Sequence, residues 1–290
     1  MEARELDVHP ANSVQESWAQ VDGGRMRYLR SGSGPPLVLV HGLLGYSFSW
    51  RFAMPAWSQQ ATVYAVDMLG TGYSDRSVGA DYSLKGNAER LLQFLDEVGL
   101  PACDLLGTSH GGAVAMMATA FAPQRFRRLI LVAPVNPWSR HGKSLAPLLT
   151  SRGISALVPV AAHLEAVRGM FLRRLYGDPT RIRPGTLAGY WAPFAATGSF
   201  DHPLGVLRSW NRDLEELKSL LPQIADVPTL LVWGDKDVAV DPASVTPLRQ
   251  RFKDCRVVMF EGVGHLPYEE VPEELNRVVG EYLASAAATG

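Results

Sequence analysis

Three short stretches of this chain are apolar at every position: Leu37-Val-Leu-Val40, Val63-Tyr-Ala-Val66 and Leu129-Ile-Leu-Val132. A fourth, Thr229-Leu-Leu-Val-Trp233, is nearly so. A strand with one wet face alternates apolar and polar residues, whereas an uninterrupted run belongs to a strand covered on both faces. Helical patterns lie between these runs. From Ser83 a stripe of Leu84, Ala88, Leu91, Leu92 and Leu95 runs to a stop at Gly99. A final amphipathic pattern begins at Pro272 and turns Leu275, Val278, Val279 and Tyr282 inward. Strands alternating with helices predict an α/β fold, a mostly parallel sheet with helices on both faces.

Two segments depart from this alternation. Ser17-Trp-Ala-Gln-Val21 and Arg25-Met-Arg-Tyr-Leu29 flank Asp22-Gly23-Gly24, which predicts a β-hairpin. Between 136 and 221 the pattern becomes a set of helices broken by Pro and Gly. The expected organisation is a core domain of 1–135 and 222–290, with 136–221 as an inserted helical subdomain. Strand-forming residues resume at Thr229 and again at Arg256-Val-Val-Met-Phe260.

Composition removes several classes of function. A formal net charge of −1 over 290 residues gives no whole-chain attraction to nucleic acid or to an anionic membrane. No apolar run approaches the ~20 residues that span a bilayer, so no stable membrane insertion is expected. The N-terminal stretch is polar and of mixed charge, unlike a cleaved signal peptide. Cys103 and Cys255 supply neither a disulfide framework nor a metal-ligand cluster, and both read as small buried hydrophobes. A cytoplasmic location and a monomer or homodimer are the corresponding expectations.

The chemistry concentrates at Asp104-Leu-Leu-Gly107-Thr108-Ser109-His110-Gly111-Gly112. An apolar run precedes it and a small-residue, helix-forming stretch follows, so Ser109 sits at the tip of a strand-to-helix turn, the geometry of a nucleophile elbow. Glycines at 107 and 111 answer the tight backbone approach of such a turn. Ligands and reactive groups of a parallel sheet gather at the carboxyl ends of its strands. The residues there are His41 and Gly42, Asp67, Ser109, Asp235 to Asp237, and His265. A serine hydroxyl needs a base to take its proton, and the base needs a carboxylate to hold its tautomer. Serine, acid and histidine occur in that order, with Asp235, Asp237 and Asp241 all candidates for the acid.

Five motifs together resemble the α/β-hydrolase family with a helical cap, the group of serine esterases and epoxide-hydrolase-like proteins. They are Pro35-Pro-Leu-Val-Leu-Val-His41-Gly42, Asp67-x-x-Gly70-x-Gly72-x-Ser74, Gly107-x-Ser109-x-Gly111-Gly112, Trp233-Gly234-x-x-Asp237 and Gly262-Val-Gly-His265. The resemblance implies Ser109 as nucleophile, His265 as general base and Asp237 as acid. It also implies an oxyanion hole from the backbone N–H groups of Leu43 and His110. Members that dehalogenate alkanes or open epoxides carry aspartate at the elbow tip, so serine here points to acyl transfer. The implied activity is cofactor-free and metal-free cleavage of a small-molecule carboxylic ester with an apolar group. A C–C bond hydrolase of β-diketone-like substrates, a ligand-sensing module and cofactor-independent oxygen chemistry would share the scaffold.

Other polar residues read as structural. His41 anchors the turn that presents the Leu43 N–H, and Asp67 bonds to nearby backbone. In the insertion, Trp191 and Phe194 sit among Gly and Pro and are the expected roof of a substrate pocket, with the His110 side chain at its floor. The insertion is also basic, with Arg140, Arg152, Arg168, Arg173, Arg174, Arg181, Arg183, Arg208 and Arg212 outnumbering its acids. Such a surplus marks a solvated face or an edge that attracts anionic substrates or an acidic partner.

Overall fold

The computed structural model describes residues 13–139 and 145–285; the polar N-terminal stretch and Arg140 lie outside the described residues. Eight strands run β1 (Gln15–Val21), β2 (Gly24–Ser31), β3 (Pro36–Val40), β4 (Thr62–Val66), β5 (Cys103–Thr108), β6 (Phe126–Val132), β7 (Thr229–Gly234) and β8 (Cys255–Phe260). They form one sheet in the order β1-β2-β4-β3-β5-β6-β7-β8. β2 is antiparallel to both of its neighbours, and every other pairing is parallel.

The uninterrupted apolar runs follow from the sheet having two cores. Val38 and Val40 of β3, Tyr64 and Val66 of β4, Leu129 and Leu131 of β6 face one buried cluster. Their neighbours Leu37, Leu39, Val63, Ala65, Ile130 and Val132 face the other. With a side-chain period of two, both faces are apolar only if every residue is. β8 is different: it closes the sheet as an edge strand, with Val257 and Met259 exposed. Cys103 is fully buried, whereas Cys255, which opens this edge strand, is only partly so.

Helices α2 (Leu84–Glu97) and α3 (His110–Phe121) cover the first face. The small α1 (Met54–Trp57) and the last helix, α11 (Pro272–Ser285), cover the second. Ser83 caps α2 by accepting the Gly86 N–H at 3.1 Å, and the chain leaves that helix through Gly99 at φ +70°.

Between β6 and β7 the chain forms α4 (Leu145–Leu149), α5 (Arg152–Ala162), α6 (Glu165–Leu175), α7 (Thr186–Trp191) and α8 (Asp201–Leu220). The twenty-residue α8 belongs to both parts of the molecule. Its later residues Trp210, Leu214 and Leu217 enter the first core, and Asp213 accepts the Leu84 N–H at 2.8 Å. The return to the sheet layer therefore happens inside α8, because a parallel connection needs a helix against the sheet face. After β7 come α9 (Val245–Arg249) and α10 (Pro267–Glu270).

Candidate active site

β5 feeds directly into α3 through Ser109, which stands at φ 52° and ψ −124°. A non-glycine residue there carries a strain of about 1–3 kcal/mol and persists only where its surroundings hold it. Four backbone hydrogen bonds do so: Ser109 N–H donates to Val132 O at 3.0 Å, and Ser109 O accepts from Gly112, Ala113 and Val135 at 3.0, 3.4 and 2.9 Å. A side chain at Gly107 would run into the Gly111 carbonyl, and one at Gly111 into the His41 carbonyl. The glycine spacing is thus imposed by strand, helix and the loop after β3 meeting backbone to backbone.

That loop brings Gly42 against the serine; a Cβ added at Gly42 would lie 3.1 Å from Ser109 Cβ. Neither the Leu43 nor the His110 N–H has an acceptor among the described residues, and His110 opens α3. Helix N-termini leave such donors free and bias them toward negative charge. His41 holds the loop: its Nδ1 donates to Gly42 O at 2.7 Å while Nε2 accepts from Met68 N at 3.1 Å. Burial pushes its pKa down, keeping the ring neutral. Asp67 accepts from the Ser47 and Tyr73 N–H groups and pairs with Arg27 at 3.1 Å, a turn-building carboxylate.

His265 and Asp237 meet, with Nδ1 to Oδ2 at 2.8 Å and both residues buried. Asp237 Oδ1 accepts the N–H groups of Ala239 and Val240 at 2.8 and 2.9 Å, fixing the carboxylate plane. This leaves His265 Nε2 as the free ring nitrogen. Asp235 instead accepts the Gly262 N–H at 2.7 Å, and Asp241 caps a turn at Ala243. Among the described residues no hydrogen bond joins the Ser109 hydroxyl to His265. Leu266 and Tyr268, which follow the histidine, share a buried cluster with Leu106 and Val132 near the carboxyl ends of β5 and β6.

A pair of acids that sequence reasoning passed over holds this loop. Glu270 accepts Gly264 N–H at 2.7 Å and Gly177 N–H at 3.0 Å, and His265 N–H donates to Leu175 O at 2.7 Å. Glu269 takes Arg51 through both oxygens and the Tyr190 hydroxyl at 2.6 Å. These contacts fasten the end of α6 and α7 to the sheet domain. Two adjacent carboxylates inside the apolar stretch 266–271 were the available signal, since buried charges require partners.

The insertion residues divide. Phe194 lines a cleft together with Leu43, Tyr46, Thr71 and Pro203. Trp191 stands outside that lining: its ring stacks on Phe194 at 5.1 Å and its N–H donates to Ala162 O at 3.1 Å. His110 is buried between His202 and Trp210, both at 6.3 Å between ring centres. Burial, reinforced by His41, pushes its pKa to about 3, so it is a neutral packing group. Trp210 belongs to the sheet core, not to the insertion's own core. Among the described residues no three His, Cys, Asp or Glu side chains are grouped to hold a metal.

Residues 35–272 match the alpha/beta hydrolase fold family. Haloalkane dehalogenase 2 of Mycobacterium tuberculosis is 29% identical over 274 residues, 92% of this chain and 94% of that protein. Cfl2 from Burkholderia cenocepacia superimposes with a TM-score of 0.83 at 21% identity, over 94% of this chain and 97% of that one. The 2-hydroxy-6-oxo-6-phenylhexa-2,4-dienoate hydrolase of Rhodococcus sp. strain RHA1 gives 0.79 at 20% identity, over 94% and 99%. With its sheet order, its strained elbow serine and a match over most of its length, the chain belongs to the alpha/beta hydrolase family.

Proposed function

We propose that this hydrolase cleaves carboxylic esters through an acyl-enzyme formed on Ser109. The observation that carries the reading is the 2.8 Å hydrogen bond from His265 Nδ1 to Asp237, which leaves Nε2 to act as base. Ser109 Oγ attacks the ester carbonyl carbon while its proton passes to His265 Nε2. The carbonyl oxygen becomes an oxyanion held by the Leu43 and His110 N–H groups. Collapse breaks the bond to the alcohol oxygen, which takes the proton from the imidazolium. Water, deprotonated by the same ring, then attacks the acyl carbon and releases the acid. Leu43, whose N–H the mechanism uses, borders Phe194 in a small cleft, and this pairing supports an apolar group on the substrate.

Serine at the elbow tip separates this chemistry from that named for the mycobacterial relative. The test is a chain-length series of p-nitrophenyl esters, run beside a β-diketone and a chloroalkane, with wild type and Ser109→Ala. Ester turnover that disappears in the alanine variant is the expected result. Turnover of the diketone alone, or halide release, would replace the ester reading. Equal rates in both proteins would remove Ser109 as nucleophile.

A further inference from the structure

Helix α5 is apolar along nearly its whole length, yet none of its residues is buried. A helix with apolar residues on all sides normally lies in a core. Leu157, Val160, Leu164 and Met170 are each more than half exposed, at 63%, 65%, 59% and 66%. Leu148 in α4 and Phe171 in α6 are exposed as well. Monomeric proteins rarely leave so many large apolar side chains exposed on adjoining helices without a binding role.

The shape and charge of this surface select what covers it. α5 and α6 meet at 93°, so they form a corner with Leu164 at the bend. No single helix among the described residues is long and apolar enough to cross a membrane. The corner can therefore lie on a bilayer but not traverse it as one straight span. Between 145 and 175 the charged residues are Arg152, Arg168, Arg173, Arg174 and Glu165, against −1 for the whole chain. Arg152, Arg173 and Arg174 are exposed and form no ion pair among the described residues. Apolar side chains flanked by unpaired arginines match an anionic lipid surface, where methyl groups enter the acyl boundary and guanidinium groups meet phosphate. A protein partner would need an acidic rim around an apolar face.

We propose that the α5–α6 corner docks the protein reversibly on anionic lipid surfaces. α6 ends at Leu175, whose carbonyl accepts the His265 N–H, so the helix that carries Met170 is tied to the histidine loop. The proposal does not depend on ester cleavage, and its readout is binding alone.

Vesicle flotation tests it, using phosphatidylcholine alone and an equal mixture of phosphatidylcholine and phosphatidylglycerol. The wild-type chain is expected on the mixed vesicles and much less on the neutral ones, with binding weakened by salt. Each of Arg152→Gln, Arg173→Gln and Arg174→Gln should lower partitioning roughly fivefold. Leu157→Glu with Val160→Glu should abolish it while the circular dichroism spectrum is kept, and Val160→Ser provides a milder substitution. Absence of wild-type binding to the mixed vesicles would overturn the proposal, as would equal binding by the double glutamate variant. Light scattering without lipid adds a second decision: a monomer supports the free surface, whereas a dimer dissolved by Leu157→Glu would show that a second copy covers it.

Discussion

The Glu270 carboxylate accepts the Gly264 N–H at 2.7 Å, one residue ahead of the candidate base. It also accepts from Gly177 and from Asp178, at 3.0 and 3.2 Å, and so joins the histidine loop to the end of α6. Glu270→Gln removes an acceptor oxygen and turns an amide N–H toward these donors. The expected stability loss is about 1–3 kcal/mol, read from denaturant unfolding. As a positioning residue, Glu270 should affect kcat far more than KM and displace the pH profile of kcat/KM. Unchanged kinetics in a folded variant would reduce it to a structural tie.

Asp237 and Asp235 stand two residues apart and do different work. Asp237→Asn should lower kcat on the order of 10⁴-fold by supporting the wrong imidazole tautomer. Asp235→Asn should leave ester turnover within a few-fold, because among the described residues that carboxylate serves the Gly262 turn and Lys236. Parallel kinetics on the two variants decide the matter, and an inactive Asp235→Asn beside an active Asp237→Asn would reverse the assignment.

Gly42→Ala probes the oxyanion loop. The new methyl would press on Ser109 Cβ at 3.1 Å and lie 3.7 Å from Oγ. Loop and serine must separate, misplacing the Leu43 N–H, and kcat should fall on the order of 10²-fold. The melting temperature should move little, since a shift of a few tenths of an ångström relieves a 3.1 Å contact. Full activity would show that this loop does not serve the reaction.

Acid should destabilise the fold through its buried histidines. Burial lowers the pKa values of His41 and His202, and holds His110 near 3, from an ordinary 6.5. Below 6.5 the unfolded chain takes up protons that these three sites in the folded chain resist, at His110 until about 3. Stability is therefore complete above 6.5 and declines as pH falls, by about 1.4 kcal/mol per pH unit for each such histidine. Denaturant midpoints across that window should show the slope, and His110→Gln should lower it by about one proton. A flat stability profile would contradict the buried neutral state.

Most of the sheet is legible in the sequence because its strands are buried on both faces, a condition that every residue of Leu37-Val-Leu-Val40 must meet. The elbow is legible for a similarly local reason: Gly107 and Gly111 mark where backbones touch. The exposed edge strand β8 shows the limit of this reasoning, since an apolar run such as Val257-Val258-Met259 need not be covered.

By itself, then, the chain specified the mostly parallel sheet with its doubly buried strands and the serine turn, both of which follow from burial and backbone geometry between near neighbours. The Trp233-Gly234-x-x-Asp237 motif pointed to Asp237 by resemblance, and tertiary packing brings it against His265; packing alone decided that Phe194 lines the cleft while Trp191 stands outside it. It also decided that Glu269 and Glu270 clamp the insertion to the histidine loop. The physical reason is range: hydrogen bonds and ring contacts between distant segments depend on how whole elements dock, and no local spacing encodes that.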